Sequence, residues 1–165
     1  MNPARAALSK AQRIVVKVGS RSIAGHATFV AALAAQIAAE QGPTRAFTIV
    51  TSGAIALGAS RLGYGRRPKE MPRLQAAAAA GQGVLMQRYS EAFGALGLVA
   101  AQVLLTHADL ADRDRVNNAR QALAALIDAR AIPVINENDT VATDEIRFGD
   151  NDQLAAMVTP LVGAD

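Results

Sequence analysis

Apolar positions in this chain fall into short unbroken runs, separated by longer stretches in which they recur every three or four residues. That pattern predicts strands alternating with helices. In Arg13–Val18, Ile14, Val15, Val16 and Val18 are nearly consecutive, as in a strand covered on both faces, and Gly19 ends the run. From about Thr28 to Gln41, Phe29, Leu33 and Ile37 recur every four positions, a helical stripe that Gly42-Pro43 terminates. Phe47–Val50 reads as a second buried strand, after which Thr51-Ser52-Gly53 turns the chain into a helix running to about Leu62. Gly63–Pro72, with Gly65, Pro68 and the basic Arg66, Arg67 and Lys69, reads as an exposed loop. A long Ala-rich helix is expected over Leu74–Leu96, disturbed near Gly81 and Gly83.

Val99–Leu105 predicts a third strand, and Arg113–Ala129 a helix with Val116, Leu123, Leu126 and Ile127 near one face. Pro133–Ile135 predicts a very short fourth strand, starting where proline is tolerated. Val141–Phe148 alternates weakly, as in a β-hairpin, and Asp152–Val162 forms a last helix closed by Gly163. The alternation implies an α/β fold: a mostly parallel sheet sandwiched between helices.

Composition narrows the class. Hydrophobic residues are 51% of the 165, but 37 of them are Ala, so the remaining apolar volume suits one compact domain rather than two cores. No uninterrupted apolar run approaches a membrane span, and residues 1–17 lack a secretory leader pattern, so a soluble, cytoplasmic protein is expected. Zero Cys excludes a disulfide framework, a thiolate zinc site and a cysteine nucleophile. The net charge of +3 conceals an asymmetry: residues 1–90 sum to +10 and residues 91–165 to −7. The basic residues are scattered and aromatics number only four Phe and two Tyr, which argues against nucleic-acid binding. The other explanation is one site using both signs, cations for a phosphate and carboxylates for an ammonium group.

In parallel α/β sheets, ligands collect beyond the carboxyl ends of the strands. There this sequence places Lys17, Gly19, Ser20, Arg21 and Ser22, then Ser52 and Gly53, then Asn136, Glu137, Asn138 and Asp139, with Gly149, Asp150, Asn151 and Asp152 opening the last helix. Lys17 sits in an apolar strand, where an ammonium is costly unless an anion compensates, and the following glycine and hydroxyls let backbone N–H groups approach one. Neither the Walker spacing nor a dinucleotide fingerprint is present. Ser52 stands at a strand-to-helix turn, a seat for a carboxylate or phosphate, but it is no nucleophile elbow because Val50 occupies the first glycine position. His26 and His107 have no acid partner visible in sequence. Structural alternatives remain beside these readings: a snorkelling lysine, an N-cap serine, turn residues at 136–139, and Asp150 or Asp152 as a helix cap.

Lys17-Val18-Gly19-Ser20, Val50-Thr51-Ser52-Gly53-Ala54-Ile55, Ala79-Ala80-Gly81-Gln82, Asn136-Glu137-Asn138-Asp139 and Gly149-Asp150-Asn151-Asp152 resemble, in order and spacing, the glutamate-phosphorylating branch of the amino acid kinase family. The resemblance runs from Arg13 to Asp165. It implies ATP-dependent phosphorylation of the L-glutamate γ-carboxylate to glutamyl 5-phosphate, the first step of proline biosynthesis, with Mg²⁺ accompanying ATP. It further implies Lys17 as the catalytic cation, Lys17, Gly19 and Ser20 for phosphate, and Ser52, Asp139, Asn151, Asn136 and Asp150 for glutamate, with no protein metal site in this part. Proline as feedback inhibitor and a homo-oligomeric full-length enzyme are implied too, with no membrane or nucleic-acid partner from this part. Arg21 departs from the pattern, which commonly has a small hydroxyl residue there. The family continues past the point reached by Gly163-Ala164-Asp165 into its nucleotide-binding half, and many members append an RNA-binding-like domain. The expectation is therefore an amino-terminal, glutamate-binding part that is inactive alone; the alternative from another class is a non-catalytic module sensing glutamate or proline.

Overall fold

The computed structural model describes residues 3–25, 28–142 and 150–165. In chain order they form α1 (Pro3–Lys10), β1 (Arg13–Lys17), α2 (Ser20–Gly25), α3 (Phe29–Glu40), β2 (Ala46–Val50), α4 (Ala54–Arg61), α5 (Met71–Gly94), β3 (Ala100–Leu105), α6 (His107–Ala111), α7 (Arg113–Asp128), β4 (Ile132–Glu137) and α8 (Asp150–Val162). The strands make one parallel sheet in the order β1-β2-β4-β3.

Alternation along each strand divides the core in two. Phe47, Ile49, Ile132 and Val134, with Ile14 and Val16, point to the face covered by α3, α4 and α5, where Leu85, Tyr89 and Phe93 are buried. Val50 and Ile135, with Val15 and Val103, point to the opposite face, against Leu123 of α7 and Leu154, Val158 and Val162 of α8. The result is the three-layer α/β/α sandwich expected from the sequence. The first two crossovers run from β1 toward β3 on one face; the return from β3 to β4 reverses direction, so right-handed connection puts α7 on the other face. Asp165 fastens the end of the described chain to the start of β1, its carboxylate accepting from the backbone N–H groups of Gln12 and Arg13 at 2.9 and 2.8 Å.

Several local expectations need correction. Helix α5 is continuous through Gly81 and Gly83. Gly81 is there for packing: a Cβ on it would lie 1.8 Å from the Ala54 carbonyl oxygen, and one on Gly58 would lie 1.7 Å from that of Ala77, so the two glycines let α4 and α5 touch backbone to backbone. The loop after α4 is shorter than expected, because Met71 and Pro72 already belong to the first turn of α5, where proline lacks nothing. Strand β4 has six buried residues rather than three, since its polar end, Asn136-Glu137, continues pairing with Leu104 and Leu105. The short helices α1, α2 and α6 were not anticipated. The hairpin expected over Val141–Phe148 lies outside the described residues from 143 onward.

Candidate functional site

Because all four strands run the same way, their carboxyl ends meet at one edge of the sheet. A cavity of about 430 Å³ opens there, lined by Lys17, Gly19, Ser20, Arg21, Ser52, Gly53, Asn136, Glu137, Asp139, Asn151 and Asp152 among others. Four separate segments of sequence thus converge, bringing cations from the basic part of the chain against carboxylates from the acidic part. Of the anticipated residues, the cavity unites Lys17, Gly19, Ser20, Ser52, Asn136, Asp139 and Asn151; Asp150 opens α8, and its side chain lies outside the described residues.

The setting of Lys17 differs from the expectation. It is the last residue of β1 and its side chain is 34% exposed, so burial does not force an anion upon it. Its Nζ instead pairs with Asp152 Oδ1 at 2.6 Å. An exposed pair of this kind is worth about 0–1 kcal/mol, so the ammonium can change partners at little cost. Asp152 is accordingly an ion-pair partner, which the reading as a simple helix cap missed.

At the end of β2 the backbone ladder runs one residue on, Thr51 N–H donating to the Ile135 carbonyl at 2.8 Å. Thr51 Oγ1 lies 2.9 Å from Tyr89 OH inside the core, and burial pushes the Tyr89 phenol up to about 12. Gly53 then takes φ of 110°, and a Cβ there would come within 3.1 Å of Ile23. Glycine alone fits this turn, which delivers Ser52 to the cavity wall. Ser52 makes no capping bond to α4; its Oγ accepts from Asn151 Nδ2 at 2.8 Å. With its oxygen so engaged, the hydroxyl proton is directed to another acceptor, as a carboxylate would supply.

Two amides in this wall are half satisfied. Asn136, 2% exposed, donates through Nδ2 to Gln82 Oε1 at 2.9 Å, while its Oδ1 is buried with no hydrogen-bond partner. Asn151 repeats the pattern: Nδ2 serves Ser52 and Oδ1 is buried and unpartnered. Each unmet acceptor costs about 1–3 kcal/mol, which a proton-rich ligand group would relieve. Asp139, 7% exposed, adds a carboxylate beside them. Arg67, which sequence reasoning passed over as loop, also reaches the cavity.

Sequence reasoning found no acid for His107, yet its Nδ1 lies 3.1 Å from Glu137 Oε1. The pair forms because α6 begins at His107, held by a reciprocal cap in which Thr106 Oγ1 accepts from the Asp109 N–H at 3.0 Å and Asp109 Oδ2 accepts from the Thr106 N–H at 2.8 Å. The signal was present in sequence as Thr106-x-x-Asp109, a capping-box spacing. The Thr106 hydroxyl and the Arg115 guanidinium hold the Asp109 carboxyl below the usual carboxylate range. His26 lies outside the described residues.

Compared with known proteins, residues 12–165 match the amino acid kinase family. A protein of Cupriavidus metallidurans named glutamate 5-kinase is 53% identical over 163 residues, covering 96% of this chain and 44% of its own length. A namesake from Ralstonia nicotianae is 51% identical over 166 residues, covering 98% of this chain and 44% of its own. The chain therefore spans less than half the length of these curated relatives. Among solved structures, aspartate kinase from Synechocystis superposes with a TM-score of 0.59 at 14% identity, over 92% of this chain and 27% of that one. Isopentenyl phosphate kinase from T. acidophilum, in a product complex, gives 0.55 at 16% over 93% and 67%. At such identities these two likenesses speak for the fold alone.

Proposed function

Because the chain belongs to the amino acid kinase family, we propose that its cavity seats L-glutamate as the acceptor in ATP-dependent phosphorylation of the γ-carboxylate, the reaction that opens proline biosynthesis. The observation that carries this reading is the pairing, in one cavity, of a mobile cation with two unmet amide carbonyls and a buried carboxylate. The relatives' printed name supports the choice of substrate.

In this reading the α-ammonium of glutamate takes up the acceptor-rich wall of Asn136, Asp139 and Asn151, and the Ser52 hydroxyl donates to a substrate carboxylate. The γ-carboxylate has an ordinary pKa of about 4.3 and is ionised at neutral pH, so it attacks without a general base. Its oxygen forms the new bond to the γ-phosphorus of ATP as the bond to the bridging oxygen breaks, and ADP leaves. The obstacle is two anions meeting. Lys17 exchanges Asp152 for a phosphoryl oxygen, and the backbone at Gly19 and Ser20 lines the same anion path. The hard oxygens of Glu137, Asp139 and Asp152 fit Mg²⁺ held mainly by the triphosphate; no cluster of three acidic or histidine ligands occurs among the described residues. This chain thus contributes the acceptor-binding part of the reaction, and proline, sharing an ammonium and a carboxylate with glutamate, suits the same wall as an inhibitor.

The test is made on a protein in which this chain is continued to the length of its relatives with the Cupriavidus metallidurans sequence. Lys17→Ala should lower kcat by about 10²–10³-fold, the scale for removing one transition-state donor, with glutamate affinity held within about threefold. Retained turnover in that variant would remove Lys17 from the chemistry. Glutamate binding without any phosphoryl transfer by the unsubstituted protein would favour a sensing module instead.

A further inference from the structure

The proposed function explains why an unmet carbonyl in the cavity is useful, but not what makes Asn136 present that end of its amide. An isolated primary amide flips at almost no cost, and a flipped Asn136 would offer Nδ2, a donor, to an ammonium. The structure supplies a reason for one orientation. Asn136 Nδ2 donates to Gln82 Oε1 at 2.9 Å, and Gln82 Nε2 donates to Gln102 Oε1 at 3.1 Å. Three amides from β4, α5 and β3 stand head to tail, ending at the Asn136 carbonyl, which is buried and unpartnered. Each member has one accepting and one donating end, so the polarity of any one fixes the others. Flipping Asn136 alone would face its Oδ1 to Gln82 Oε1, two acceptors with no proton between them.

We propose that Gln82 and Gln102 are positioning residues that set the polarity of Asn136, so that the cavity accepts from a cationic amine and prefers an α-amino diacid to the same diacid without its amine. This rests on the reading of the cavity as an acidic amino-acid site. The controlling end is Gln102, on the edge strand β3 and exposed, where water tolerates either orientation and a substituted side chain decides it. Lysine there can only donate; it would bond Gln82 Oε1, turn Gln82 Nε2 toward Asn136, and reverse the chain.

The experiment is calorimetric titration of this chain with L-glutamate and with glutarate, which lacks the amine, on four proteins: unsubstituted, Gln82→Met, Gln102→Lys, and the double variant. The readout is the ratio of the two affinities. Each single substitution should lower the glutamate preference about tenfold, the scale of one hydrogen bond to a charged group. The double variant should fall no further than Gln82→Met, because cutting the relay isolates residue 102. Additive losses would mean that the lysine acts through space, and an unchanged ratio in Gln82→Met would mean that the relay sets nothing; either overturns the proposal. Absence of any glutamate binding by the unsubstituted chain would instead overturn the functional reading. The relay itself is followed separately by the Asn136 side-chain NH₂ resonances, which should shift in Gln102→Lys and exchange faster with water in Gln82→Met; unaltered resonances in both would refute it.

Discussion

Gly53 shows how little freedom single positions have around the cavity. Its φ of 110° suits glycine, and Ile23 occupies the space a methyl group would take. Gly53→Ala should cost about 1–3 kcal/mol in denaturant unfolding and weaken glutamate binding by displacing Ser52. Tyr89 is the matching case in the core. Its phenol ionises near 10 when unfolded and near 12 when folded, so between those values the unfolded chain releases a proton that the folded chain keeps. Stability from this group is complete below pH 10 and declines as pH rises toward 12; Tyr89→Phe should flatten that alkaline decline while costing about 1 kcal/mol at neutral pH through the orphaned Thr51 hydroxyl. Residue types at strand ends were legible in sequence because parallel strands must gather their carboxyl ends. The partners were not: Gln82 meets Asn136 across 54 residues and Asn151 meets Ser52 across 99, distances over which no local pattern carries information.

Helix ends and helix contacts carry the next level. The cap at α6 fixes where His107 meets Glu137, and Asp109 links it to Arg115 at 2.7 Å. With its folded pKa lowered, Asp109 adds stability that is present above the ordinary carboxylate pKa and lost as pH falls through the lower folded value. Asp109→Asn should therefore reduce the acid dependence of unfolding as well as the neutral-pH stability, read from urea titrations across pH 2–5. The α4–α5 contact is stricter still. Gly58→Ala or Gly81→Ala drives a methyl group into a carbonyl oxygen and should cost more than 3 kcal/mol in the same measurement. Glycine in a helical pattern ordinarily signals weakness, which is why Gly81 looked like a disturbance; only the partner helix reveals it as a contact. Long periodic elements were legible by contrast, since the stripes of α3 and α7 and the apolar run of β2 do not depend on distant partners.

For the molecule as a whole, the charge asymmetry along the chain becomes a charge pairing in space. Lys17, Arg21 and Arg67 line the same cavity as Glu137, Asp139 and Asp152. A site of this kind suits a ligand bearing an ammonium at one end and an anion at the other, and sequence composition pointed to it before any coordinates placed it. The central claim is that glutamate lies in this cavity in one orientation, its amine on the amide and carboxylate wall and its γ-carboxylate toward Lys17. A crystal structure of this chain soaked with L-glutamate tests it most directly. The account predicts the ammonium within hydrogen-bond distance of Asn136 Oδ1 and Asp139, and the γ-carboxylate on the Lys17 side of Ser52. Glutamate bound elsewhere on the molecule, or turned end for end in the cavity, would contradict it.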